Sequence, residues 1–478
     1  MPGLAKVSAK IVMGALVVWL GVSGLRSQTL VTSTPNERRA LAVTVYNSNL
    51  ALVRDVRQLQ LPTGTVEVRF EGLAAQVNPA TIHMASLSDP AAFLVLEQSY
   101  HNDLLSPATL LEKYVGHHVI LVRRRRVNHA TQEIKTPALL LADNNGPVWQ
   151  VGSEILTGVK PDYYIFPRLP KNLYTRPTLL CLVSNRVAAP QTVATTYLTN
   201  GMSWKADYVF LLHPKDSMGE LSGWAAIRND SGATYRKARL QLVAGEIHLA
   251  AAPRPMMQMQ AAPEASTIFQ QQPLAEYHLY SLPRPTTLAN HASVEISLLH
   301  SPRVHYQEIL ELNGQPYYYR APLSPGSGLR QPVQVHLRFD NTSANGLGVP
   351  MPAGTVRFYQ NDSTGMPEFL GEDPISPTPR GETLHLTVGN AFDVVATRKQ
   401  TAYQSLGPKS SEVAFEITLR NHKSHPVTVE VNEPMGGEWT MLSSNYKYEK
   451  TSAFSVRFEV PVPAHGRAAL NYRVRLHW

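Results

Sequence analysis

The segment NGMSWKADYVF, residues 200–210, places Trp204, Lys205, Asp207 and Tyr208 close together. An ammonium, a carboxylate and a phenol at such spacing are the groups of an acid–base site. On an extended strand, however, successive side chains point to opposite faces. Met202, Trp204, Ala206, Tyr208 and Phe210 then share one side, and Ser203, Lys205, Asp207 and Val209 the other. The first side is what a sandwich core requires, while Lys205 and Asp207, two apart, are placed to pair. The segment reads first as a structural strand, with a binding role for Trp204, Lys205, Asp207 and Tyr208 as its alternative.

Glu246 and His248 in AGEIHLA share a strand face and form a candidate acid–base or metal pair, but without a third convergent ligand. His422 and His425 in RNHKSHP read as a polar turn, and His117 and His118 precede a strand on opposite faces. No metal set is assigned. The single cysteine, Cys181 in TLLCLVSN, has no internal disulfide partner, and its apolar neighbours make it a buried structural thiol. GxSxG, P-loop, HExxH and dinucleotide signatures are absent, so no cofactor is expected.

The elements that must carry these residues are strands. LAVTVYN and TVEVRFEGL alternate apolar and polar positions, the mark of half-buried antiparallel strands. One helix interrupts them in SPATLLEKYVG, with Ser106 as N-cap, Pro107 at the first position and Gly116 past the end. Asn145-Gly146, between two apolar runs, signals a hairpin. LPTGTVEVRF, MPAGTVRFYQ and VPAHGRAALNYRV each set a Pro/Gly turn before an alternating strand, with Gly expected at positive φ. The fold expected is mainly β: antiparallel β-sandwich modules with one small helix-bearing insert. Its divisions are a signal at 1–27, a β module at 41–105, the insert at 106–177, a central sandwich portion at 178–250, a flexible linker at 251–273 and a C-terminal sandwich portion at 274–478. The linker rests on the Ala/Pro/Gln/Met bias of AAPRPMMQMQAAPEASTIFQQQP.

With 478 residues and an apolar fraction of 43%, the chain can build two to four domains. Its 36 prolines suit short strands and turns rather than long helices. The formal charge of +8 is modest for this length. The one dense basic run, Arg123–Arg126, alternates faces on a strand, so nucleic acid is not an expected partner. At the N-terminus Lys6 and Lys10 precede an apolar run from Ile11 to Leu25, which reads as an export signal cleaved after residue 24–30; an uncleaved anchor is the alternative. Membrane contact is expected only through this segment, and only if it stays uncleaved. The last strand, LNYRVRLHW, alternates and ends on an aromatic, as in outer-membrane barrels, but 8% aromatics and frequent prolines speak against a barrel. Three Asn-x-Ser/Thr matches, at Asn229, Asn341 and Asn361, are formal glycosylation acceptors.

YNSNLALVRDVRQLQLP, LTNGMSWKADYVFLL, SGATYRKARLQLVAGE, EYHLYSLPRPTTLAN, GNAFDVVATRKQT and LRNHKSHPVTVEVNEP occur in this order. Together they resemble the bacterial domain-of-unknown-function family numbered 4139, from about Leu41 to Trp478. The resemblance implies an exported, largely β protein with some mucoidy-inhibitor-like relatives, and NGMSWKADY as a hallmark. It brings no catalytic residues, and the coiled-coil insertion and extra N-terminal domain of some relatives are missing here. The function expected is that of a periplasmic or secreted, non-catalytic binding or scaffolding protein, with an envelope protein or polymer as partner. The rival is a hydrolase of envelope polymers using carboxylates such as Asp207 and Glu246.

Overall fold

The computed structural model of the protein describes residues 29–127, 130–170, 173–245, 270–274, 277–323 and 328–477. The chain is mainly β, with predominantly antiparallel pairing. Val43 and Val53 from an eight-stranded sheet, Trp204 and Tyr208 from a five-stranded sheet and Val66 and Cys181 from a four-stranded sheet meet in one core. That core also contains Ile296, Val356 and Leu386. It therefore takes residues from both sides of 251–273, and the cores do not divide where the sequence bias places a linker. Residues 246–269 lie outside the described residues, and Gln270–Leu274 form a strand.

A second core is built by a nine-stranded sheet. Its strands Ser455–Val462 and Arg467–His477 are distant in strand order yet touch, so the sheet folds over itself as a sandwich. Leu470, Tyr472, Val474 and Leu476 all enter this core, which settles where the apolar side of the last strand goes.

The helix Pro107–Lys113 belongs to a third, small core with Tyr114, Val119, Leu121, Leu140 and Trp149. Ser106 caps it, its side chain accepting from Thr109 N, and Pro107 takes the first position. The strands Ala130–Ala142 and Val148–Val151 pair antiparallel around Gly146, whose φ is +112°.

The recurrent Pro/Gly turns have different physical bases. Gly64 does adopt a positive φ, of +99°. Gly354 does not; a Cβ there would stand 2.2 Å from the carbonyl oxygen of Ala206, so glycine permits close parallel pairing of Gly354–Asn361 with Met202–His213. In VPAHG the left-handed residue is His465, at φ 49°.

Four buried asparagines brace the loops between strands. Asn185, Asn229 and Asn421 end the strands Thr178–Asn185, Met218–Asn229 and Ser410–Asn421, and Asn341 follows Leu329–Asp340. Each donates its amide to loop carbonyls: Asn185 to Leu61 and Pro62, Asn229 to Ala233 and Leu288, Asn341 to Val349 and Pro379, Asn421 to His425 and Pro463. A side-chain amide holding a loop in this way satisfies backbone groups that would otherwise be buried unpaired. Asn229 and Asn341 are thus structural and closed to glycan attachment, whereas Asn361 is exposed.

Candidate functional site

The strand Met202–His213 lies inside its sheet, paired antiparallel with Met218–Asn229 and parallel with Gly354–Asn361. Its even-numbered side chains Met202, Trp204, Ala206, Tyr208 and Phe210 are all buried. Trp204 is 2% exposed, donates its indole N–H to Val243 O at 3.0 Å and meets Tyr280 edge-on. Tyr208 donates to Pro352 O at 2.9 Å, and burial pushes its phenol well above the usual range. On the opposite face Asp207 accepts from Arg357 at 3.0 Å and pairs with Lys205 at 3.2 Å, while Arg357 also reaches Glu372 at 3.1 Å. Trp204 and Tyr208 therefore stand in the core and Lys205 and Asp207 in an ion-pair row across three strands; the two pairs do not converge. Glu246 and His248 lie outside the described residues.

The other histidine candidates sit in turns or at strand starts. Asn421 holds His425 O, and His422 N donates to Asp393 O, so RNHKSHP is a braced turn. His117 and His118 line a cleft with Lys113, Tyr114 and Arg168. Cys181 is fully buried, and burial pushes its thiol up to about 12.

A different cluster does bring chemical groups together. Glu311, His336 and His385 stand on the adjacent strands Gln307–Asn313, Leu329–Asp340 and Thr383–Gly407. Glu311 is opposite Gln334, and His385 opposite Arg338, so the three side chains run diagonally across one face. That face is opposite to the one on which Leu310, Val333 and Leu337 enter the cores. Glu311 Oε1 lies 3.0 Å from His385 Nε2, and Glu311 Oε2 lies 3.6 Å from His336 Nε2. The two imidazoles stack at 4.7 Å and 7°. Glu311 and His336 are buried; the His385 side chain is 42% exposed. Burial lowers the His336 pKa below the ordinary imidazole range, against the opposing pull of Glu311.

The group leaves no joint signature in the sequence because its members are 25 and 49 residues apart along the chain. The available signal was local: each interrupts an apolar run, in ILELN, VQVHLRF and TLHLTV. A titratable residue flanked by buried strand positions is placed at a sheet face, but only the register says that three of them meet.

No curated protein matches the chain. A family model described as a domain of unknown function (DUF4139) matches residues 193–437, just over half of the chain and a narrower span than the motifs from Leu41 to Trp478. The matched region contains the strand Met202–His213 with its buried Trp204, and the Glu311–His336–His385 cluster. On that match, the chain belongs to the DUF4139 family.

Proposed function

We propose that the protein is an exported, non-catalytic binding or scaffolding component of the bacterial envelope, with its contact surface centred on Phe392. The export reading is supported by the lysines and apolar run of residues 6–25. The observation that carries the binding reading is the exposure of Phe392, at 94%. Opposite Val333 the pairing jumps from Pro332–Val395 to Gln334–Asn390, while Val394 stays buried and paired with Asn421, so residues 391–393 bulge from the strand and leave the Phe392 ring exposed. The bulge is held in place, since Asp393 O accepts from His422 N at 2.7 Å. A large aromatic ring presented on a braced β scaffold is a suitable interface anchor, aromatic residues being enriched in contact surfaces.

A photoactivatable benzoylphenylalanine at position 392, irradiated in cells, tests this reading on protein and polymer partners alike. An adduct at 392, and none at the exposed control position Glu438, is the expected result. Equal labelling at both positions contradicts it.

The enzymatic alternative, hydrolysis of envelope polymers, is favoured by one observation: a carboxylate between two imidazoles, open to solvent at His385. It predicts polymer cleavage by the wild type that Glu311→Gln abolishes. Asp207 is a poorer basis for that chemistry, because its oxygens are engaged by Arg357 and Lys205.

A further inference from the structure

We propose that Glu311, His336 and His385 form a binding site for one divalent first-row transition ion of the zinc type. Two imidazoles and one carboxylate are a characteristic donor set for such ions, whereas calcium and magnesium select oxygen ligands. The separations fit: ligands about 2.0–2.1 Å from a tetrahedral ion stand about 3.3 Å apart. The observed separations from Glu311 are 3.6 Å to His336 and 3.0 Å to His385. All three donors lie within 4.8 Å of one another.

The hydrogen bonding points the same way. His336 Nε2 is buried without a hydrogen-bond partner, and at 3.6 Å the carboxylate is too far to supply one. His336 itself is 7% exposed, so this orphan atom faces the cluster rather than water. An ion between His336 and Glu311 would engage that lone pair. Around the ligands, Thr387 Oγ1 lies 3.3 Å from His336 Nδ1, and Asn432 Nδ2 lies 3.5 Å from Glu311 Oε2. Such partners orient metal ligands and fix the histidine tautomer. The half-exposed His385 leaves an entry path and a fourth position for solvent.

Untagged full-length protein, stripped with a chelator, is titrated with zinc chloride by calorimetry. The expected result is one zinc per chain, with His385→Ala and Glu311→Gln each weakening binding by more than about tenfold, the least that loss of a supporting residue usually costs a metal site. His385→Ala is the main variant, since its half-exposed side chain can be removed without opening the core. The chain has 17 histidines, so His117→Ala serves as a control that should bind as the wild type does. Cobalt gives a second readout: a visible ligand-field spectrum in the wild type that His385→Ala loses. Absence of stoichiometric binding overturns the proposal. So does zinc held by a correctly folded His385→Ala or Glu311→Gln protein with wild-type affinity, which would assign the ion to other surface histidines.

Discussion

Arg398 and Glu433 face each other at 2.6 Å in the second core, with neither side chain exposed. Tyr319 donates to the other carboxylate oxygen at 2.5 Å, Gln331 accepts from the guanidinium, and the cation lies against Tyr318 and Phe415. A charge in this position is tolerable only with its partner. Glu433→Gln should therefore cost about 3–5 kcal/mol, because it leaves a guanidinium buried and uncompensated. Replacing both residues by apolar ones of similar volume should cost less than either single change. Urea melts of the three variants check the order.

The first core holds a counterpart in Asp55, which pairs with Arg38 at 2.7 Å and Arg57 at 2.8 Å. Burial pushes the Asp55 carboxyl up, but hydrogen bonds from Arg38 and the Arg57 charge outweigh it and hold the carboxyl below its usual range. A carboxyl whose folded pKa is depressed contributes stability that is complete above its unfolded value, about 3.9, and lost as pH falls through the folded value. Melting temperature should fall on acidification below about pH 4, and Asp55→Asn should remove part of that dependence while lowering stability at pH 7.

How much of this was legible in the sequence depends on whether the deciding interaction is local. The alternation of Met202 to Phe210 matches the observed burial because period two is a property of any strand. Ser106 and Pro107 marked the helix start because a cap acts within one turn. The diagonal joining Glu311, His336 and His385 depends on the register of three strands, including a shift between Val335 and His336 that no local pattern encodes. In its local sequence Gly354 looks like a turn glycine, but its requirement is the approach of a strand nearly 150 residues away in sequence. Asn229 and Asn341 matched a modification pattern, although burial gives them a different use.

The asparagine braces predict a specific loss. In Asn421→Ala the carbonyls of His425 and Pro463 lose their donor inside the fold, which should cost about 1–3 kcal/mol. Asn361→Ala, at an exposed site, should melt with the wild type. Differential scanning fluorimetry on the pair separates the two.

Cys181 should resist thiol reagents in the native state, since it is fully buried and its thiolate is disfavoured. Ellman's reagent should give no colour until denaturant is added. A full thiol equivalent released at once from the folded protein would contradict the packing.

The proposed division of labour places Trp204 in the core and Phe392 at the contact surface. It is tested most directly by comparing Trp204→Ala and Phe392→Ser for thermal stability and, in the same preparations, retention of cross-linkable envelope material. Trp204→Ala should destabilise by about 3–5 kcal/mol, the usual range for a buried aromatic. Asp207→Ala, on the ion-pair face, should lose about 1 kcal/mol or less. Phe392→Ser should melt with the wild type and lose its partner. A Trp204→Ala protein that melts with the wild type, or a Phe392→Ser protein that retains its partner in full, would contradict this division between core and contact surface.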